Sequence, residues 1–328
     1  MTAPARTAAP IAREADGFCH EAWFYAGERE FVEGISEYVR EGLEAGESVL
    51  LVVSPRKIAL LREALGADAG QVRFADTARL GDNPARIIPA WQDFVSEGYA
   101  AGKILRGVGE PIHPGRGRDA LVECHRHESL LNVAFAEASE FWLRCPYDTR
   151  ALDEAVVEEA HRTHPYLAQG PIRWVSMHFG GLEQIVRPFT GPLPDAPARA
   201  RLVTFERSTL PDVRRAVADE AIRAGLSEER AGDLALAVNE VAGNAVRHGG
   251  GRGELRLWAD DESVVCEVHD SGGLIDDPLA GRRRPSADEP RGFGLWLANG
   301  LCDLVQIRSR PAGAVVRLHM RRDDAGAR

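Results

Sequence analysis

The chain has 328 residues, a formal net charge of −10, 44% hydrophobic and 27% charged residues, which suits two globular domains, each with its own core. The acidic balance disfavours direct nucleic-acid binding, since phosphate contacts need a basic surface. No apolar run reaches the length of a membrane span, so no membrane contact is expected. The five cysteines are odd in number and widely spaced with no C-x-x-C pair, the pattern of reduced thiols in a cytoplasmic protein.

Residues 1–16 lack an apolar stretch and are biased to Ala, Pro and Thr, as in a disordered leader rather than a secretory signal. From there to about 186 the pattern alternates. Phe31, Ile35, Tyr38, Val39 and Leu43 recur at helical spacing before Gly46, and SVLLVV at 48–53 is an apolar run suited to a strand covered on both faces. Ser54-Pro55 offers an N-cap and a proline at the first helical position of a helix to about Leu65. Strands are expected near 72–75, 103–108, 141–145 and 172–178. Helices are expected from Asn83-Pro84, around 120–138 and after the 141–145 strand. This order implies a mainly parallel sheet with helices on both faces. There is no G-x-x-x-x-G-K-[ST] phosphate loop and no short internal repeat.

The stretch 187–200 has four prolines between Arg187 and Arg199 and reads as a stiff linker. Beyond it, 201–322 forms a second domain, with a short tail at 323–328. A strand at 201–205 precedes a helix opening at Pro211. A second helix, capped by Ser227 with Glu228 and Glu229 in its first turn, runs to Gly249. A hairpin pairs 254–258 with 264–269, a Gly/Pro/Asp/Arg-rich loop covers 271–291, and a helix from Phe293 leads to strands at 304–309 and 314–320. That order predicts a two-layer α/β sandwich.

On the Ser227 helix, Leu234, Val238, Val241 and Ala245 share an apolar face, while Glu240 and Asn244 stand four apart on an adjoining one. An amide oxygen there suits Mg²⁺, and a carboxylate can accept a proton from a nucleophile; a polar strip facing water has the same spacing. Val268-His-Asp270-Ser-Gly272-Gly273 puts an aspartate at a strand end before two glycines, able to meet an exocyclic amine, although a simple turn uses the same residues. Arg291-Gly292-Phe293-Gly294-Leu295 opens a helix whose N-terminal amides suit phosphates.

In this order the three segments resemble the GHKL ATPase superfamily, and within it the anti-sigma factors that are serine-protein kinases. The resemblance implies a Bergerat-type sandwich binding ATP and Mg²⁺. In it Glu240 would be the catalytic base, Asn244 the Mg²⁺ ligand and Asp270 the reader of the adenine amine. Gly272 would line the base, Gly292, Gly294 and Leu295 would hold the phosphates, and 274–291 would form the lid. Leu274 stands where the family's D-x-G-x-G pattern has its last glycine. Nothing upstream resembles the phosphoacceptor hairpin of histidine kinases. His248 is expected beside the site without a catalytic part. The Arg282–Arg284 run suits either a phosphate or partner contact or a solvated loop.

In the N-terminal half, His20–Tyr25, SVLLVV, Gly109-Glu110-Pro111, Glu128–Asn132 and Cys145–Asp148 resemble the MEDS sensory domain, named from methanogen and methylotroph regulators of the DcmR type. That domain is related to RecA-like folds without the phosphate loop. The resemblance covers about 17–186 and implies an unidentified small-molecule ligand; Glu110 and Tyr147 are candidates to line its pocket or to form a buried polar pair. Cys124, His125 and His127 splay around a helix, poor geometry for a tetrahedral metal site; His161 and His164 lack an evident third ligand. Cys145 is expected in the core. Taken together, the resemblances imply a regulator that phosphorylates an anti-anti-sigma (STAS) partner, sequesters a sigma factor and forms a homodimer in some relatives. The alternative is a non-catalytic switch that binds nucleotide or a partner.

Overall fold

The computed structural model describes residues 17–80, 83–181, 191–285 and 292–323. The expected leader at 1–16, the linker residues 187–190, the lid residues 286–291 and the tail from 324 lie outside these. The chain divides into two units, one of residues 1–81 and 90–183, the other of 82–89 and 184–328.

The first unit is built on a seven-stranded sheet in the order β3-β2-β4-β5-β1-β6-β7. Its strands are β1 (Phe18–Tyr25), β2 (Ser48–Val53), β3 (Val72–Asp76), β4 (Leu105–Gly109), β5 (Phe141–Asp148), β6 (Tyr166–Gln169) and β7 (Ile172–Val175). Every pairing is parallel except β6 with β7. The connecting helices are α1 (Glu28–Glu44), α2 (Pro55–Leu65), the single turn α3 (Thr77–Leu80), α4 (Ile87–Ala100), α5 (Arg118–Ala134) and α6 (Glu154–Thr163). All of β2 after Ser48 is buried, as its unbroken apolar run requires. Ser54 caps α2 by accepting the Lys57 amide, with Pro55 at the first helical position.

Two features depart from the expectations. β1 lies between β5 and β6, although FCHEAWFY carries His20 and Glu21 in what becomes a buried strand. Glu21 is tolerated there because Arg144 on β5 and Arg173 on β7 both donate to its carboxylate. The single strand expected at 172–178 is instead the second arm of a β6–β7 hairpin that turns at Gly170-Pro171, with Gly170 at φ 53°.

The second unit has a five-stranded antiparallel sheet in the order β11-β12-β10-β9-β8. Its strands are β8 (Arg201–Glu206), β9 (Arg252–Ala259), β10 (Ser263–Asp270), β11 (Leu304–Arg310) and β12 (Gly313–Arg321). Its helices are α7 (Leu210–Arg223), α8 (Glu228–His248) and α9 (Phe293–Leu301). Ser227 caps α8 through the Arg230 amide, and Leu234, Val238, Val241 and Ala245 are all buried, as their spacing predicts. α8 packs on β9, β10 and β12 and against α7 and α9. The segment 82–89 groups with this unit. There Asn83 donates to the carbonyl and side-chain oxygens of Asn299 on α9, and Arg86 donates to the carbonyls of Asn299 and Cys302.

Candidate functional site

The second unit contains a cavity of about 640 Å³ between α8, the ends of β10 and β12, and the start of α9. Val268 and Val316 are register partners on β10 and β12 and line its sheet side, opposite Val241 and Ala245 of α8. An apolar slot of this kind suits a flat heterocycle. Glu240 and Asn244 stand at its rim on the same face of α8, as four-residue spacing dictates. Gly292 caps α9 in the left-handed conformation at φ 90°, so the helix begins at the cavity, and its first residues, Phe293 and Gly294, line it. Leu295 forms part of the same wall.

Gly294 sits at a close approach: a Cβ there would fall 2.9 Å from Asn244 Nδ2 and 3.4 Å from Glu240 Oε2, so any larger residue displaces the Asn244 amide. α9 therefore meets α8 at the two polar residues, with only a hydrogen between them. Asp270 closes the other end. Its Oδ1 accepts the backbone amides of Gly272 at 2.9 Å and Ala314 at 3.2 Å, which holds the carboxylate rigidly and leaves Oδ2 without a bond to the described residues. Gly272 is set back from the cavity against the end of α8, where a Cβ would fall 2.4 Å from Gly249 Cα, and Gly273 stands in the wall.

Some residues of the site had no local signal in sequence. Arg247 lines the cavity and donates to Asn244 Oδ1 at 2.7 Å, so a guanidinium sits on the oxygen expected to ligate a cation. Ala314 and Val316 come from the last strand. The loop after Leu274 is anchored where it starts, because the Ile275 amide donates to Ser309 Oγ at 2.7 Å and Leu279 is fully buried. The arginine run divides: Arg282 is buried, while Arg283 and Arg284 are exposed. His248 lines the cavity.

Residues 19–165 match the family model of the methanogen/methylotroph DcmR sensory domain, MEDS, and residues 203–320 match that of the histidine kinase-like ATPase domain. The chain joins a MEDS domain to a histidine kinase-like ATPase domain. Among solved structures it is similar to the RsbU and RsbW domains of a Mycobacterium tuberculosis protein, at 20% identity and a TM-score of 0.29, covering 38% of this chain. The match spans 33% of that protein, about a third of its length. A search of curated proteins gave no match.

In the MEDS domain Glu110 is buried and meets Tyr25 Oη and Lys57 Nζ, so of the two alternatives the buried polar pair forms with β1 and α2 and not with Tyr147. Burial pushes the Glu110 carboxyl up, against the pull of Lys57 and Tyr25. Cys124 donates to the carbonyl of Pro111. Cys145 lies in the core as expected, and burial first, then the neighbouring Glu128 carboxylate, raises its thiol well above the ordinary range. All five cysteines are free thiols. No helix among the described residues is long and apolar enough to cross a membrane.

Proposed function

We propose that the ATPase domain binds Mg·ATP in the α8–β10–α9 cavity and transfers its γ-phosphoryl group to a serine of a STAS-type anti-anti-sigma protein, the same domain holding a sigma factor. The observation that carries this reading is the meeting of Glu240, Asn244 and Gly294 at one end of an apolar slot whose other end holds the pinned carboxylate of Asp270. Its size lies within the range of about 300–1,000 Å³ usual for small-molecule sites.

The residues fit the ligand in order along the cavity. Oδ2 of Asp270 accepts from the adenine amine, while Oδ1 stays fixed by two backbone amides. The valine pairs cover the ring faces, and the N-terminal amides of α9 with Gly292 and Gly294 receive the phosphates. Asn244 Oδ1 is the oxygen for the metal, once the Arg247 guanidinium swings away from it. Bound Mg²⁺ would neutralise charge on the phosphate oxygens. Glu240 accepts the proton of the attacking serine hydroxyl as its oxygen bonds to the γ-phosphorus and the bond to the bridging oxygen of ADP breaks. The MEDS domain supplies the signal input through a small-molecule ligand.

Incubation of the full chain with Mg·[γ-³²P]ATP and the partner captured from the source cell tests this. Wild type should label a serine of the partner, and Glu240→Ala should bind ATP but label nothing. Equal labelling by Glu240→Ala would remove the base assignment. ATP binding with no labelling of any captured partner by the wild type would leave only the switch.

A further inference from the structure

The MEDS domain brings together four ligand-type side chains that are far apart in sequence. His20 of β1, Glu128 of α5, Cys145 of β5 and His164, the residue after α6, are all buried, and their ligand atoms lie within 4.8 Å of one another. Glu128 Oε2 is 3.1 Å from His20 Nε2, 3.2 Å from His164 Nε2 and 3.3 Å from Cys145 Sγ; Cys145 Sγ is 3.4 Å from His20 Nε2.

The outer nitrogens of both imidazoles are committed. His164 Nδ1 lies 3.0 Å from the carbonyl of Ala160, an acceptor only, so this nitrogen carries the proton. His20 Nδ1 lies 3.1 Å from Asn132 Oδ1. The orientation of that amide is set by Nδ2, which donates to the carbonyls of Glu128, Ser129 and Thr163. His20 Nδ1 therefore also carries its proton. In the neutral rings both Nε2 atoms then carry a lone pair within 3.2 Å of one carboxylate oxygen, with a sulfur beside them. Glu128 Oε1 and His164 Nε2 form no hydrogen bond with the described residues. Apart from the Cys145 thiol, which donates to Glu128 Oε2, these are acceptors facing acceptors in a dry core, and they repel unless a further proton or a metal cation lies between them.

We propose that His20, Glu128, Cys145 and His164 form a closed tetrahedral site for a divalent d-block ion of the Zn²⁺ type. Two imidazoles, a thiolate and a carboxylate are the borderline-soft donor set that suits zinc. Zinc–ligand distances of about 2.0–2.3 Å place tetrahedral ligands about 3.3–3.6 Å apart, a few tenths of an ångström from the four separations given above, while all six lie within 4.8 Å. The thiolate and carboxylate charges cancel that of the ion, so the filled site is neutral, as burial demands. Nδ1 anchoring to a carbonyl and an amide oxygen is the outer-shell arrangement that orients metal-binding imidazoles. The four ligands come from β1, α5, β5 and the end of α6, so an ion would tie these elements together. His161 and the Cys124–His127 segment, which looked like metal candidates in sequence, contribute no ligand; only His164 does.

The test uses the purified full chain. After dialysis it should hold one equivalent of zinc by mass spectrometry. Cobalt exchanged in its place should show the visible bands of a tetrahedral centre and a near-ultraviolet thiolate-to-cobalt band. Cys145→Ser should abolish that band, Cys124→Ser should leave it, and Asn132→Ala should weaken metal binding about 10–100-fold. A folded wild type that takes up neither ion stoichiometrically overturns the proposal. So does a cobalt spectrum that survives Cys145→Ser or vanishes with Cys124→Ser. The wild-type measurement decides even where a variant does not fold.

Discussion

At Asp270 one carboxylate oxygen is occupied by two backbone amides and the other, the proposed adenine contact, makes no bond to the described residues. Asp270→Asn keeps the shape and the Oδ1 bonds but replaces the free acceptor by an amide donor, which opposes an adenine amine and matches the carbonyl of guanine. It should melt close to wild type, bind ATP about ten to a hundred times more weakly, as loss of a charge-assisted hydrogen bond implies, and lose no affinity for GTP. A variant that binds ATP normally in a calorimetric titration would remove Asp270 from the adenine site. Gly294→Ala puts a methyl 2.9 Å from the Asn244 amide. It should abolish nucleotide binding while leaving the melting temperature within a few degrees of wild type. Arg247 donates to the Asn244 amide oxygen that we propose as the metal ligand. Arg247→Ala should lower the Mg²⁺ concentration needed for half-maximal ATP binding, and a rise would show that the guanidinium helps the site rather than blocks it.

At the scale of elements, the clearest case is β1. Glu21 ties it to β5 and β7 through Arg144 and Arg173; burial alone would raise its carboxyl, and the two guanidiniums outweigh that and hold it below the ordinary carboxylate range. A depressed folded-state value means stability that is present above the unfolded carboxyl's value and is lost as pH falls through the folded one. The MEDS unit should therefore lose stability on acidification below the usual carboxylate range, more steeply than a Glu21→Gln variant. That variant should start up to about 3 kcal/mol less stable at neutral pH, since it leaves two partly buried guanidiniums without their carboxylate; equal pH slopes in urea melts would contradict this. The same strand shows where sequence reading stops. β2 was legible because its burial shows as an unbroken apolar run, and α8 because its cap, its apolar face and the Glu240–Asn244 spacing are all local. In β1 the periodicity is interrupted by His20 and Glu21, whose partners come from residues more than a hundred positions away. The cavity shows the same division: Glu240, Asn244, Asp270 and the α9 glycines can be read locally, whereas the Val268–Val316 pairing and the set-back of Gly272 depend on long-range strand register and packing.

At the scale of the whole molecule, each of the two units has its own sheet and buried core, so two thermal transitions are expected. A ligand that binds one native unit raises that transition by mass action and leaves the other in place. Scanning calorimetry should show Mg·ATP lifting one transition and, if the MEDS site holds zinc, a chelator lowering the other. Movement of the same transition by both reagents would contradict separate sites. The most direct test is a titration of Mg·ATP into the full chain and its Asp270→Asn variant. Saturable one-to-one binding by the wild type and at least tenfold weaker binding by the variant is the expected result; a flat wild-type isotherm, or equal affinities, would contradict an ATP site at the α8–β10–α9 cavity.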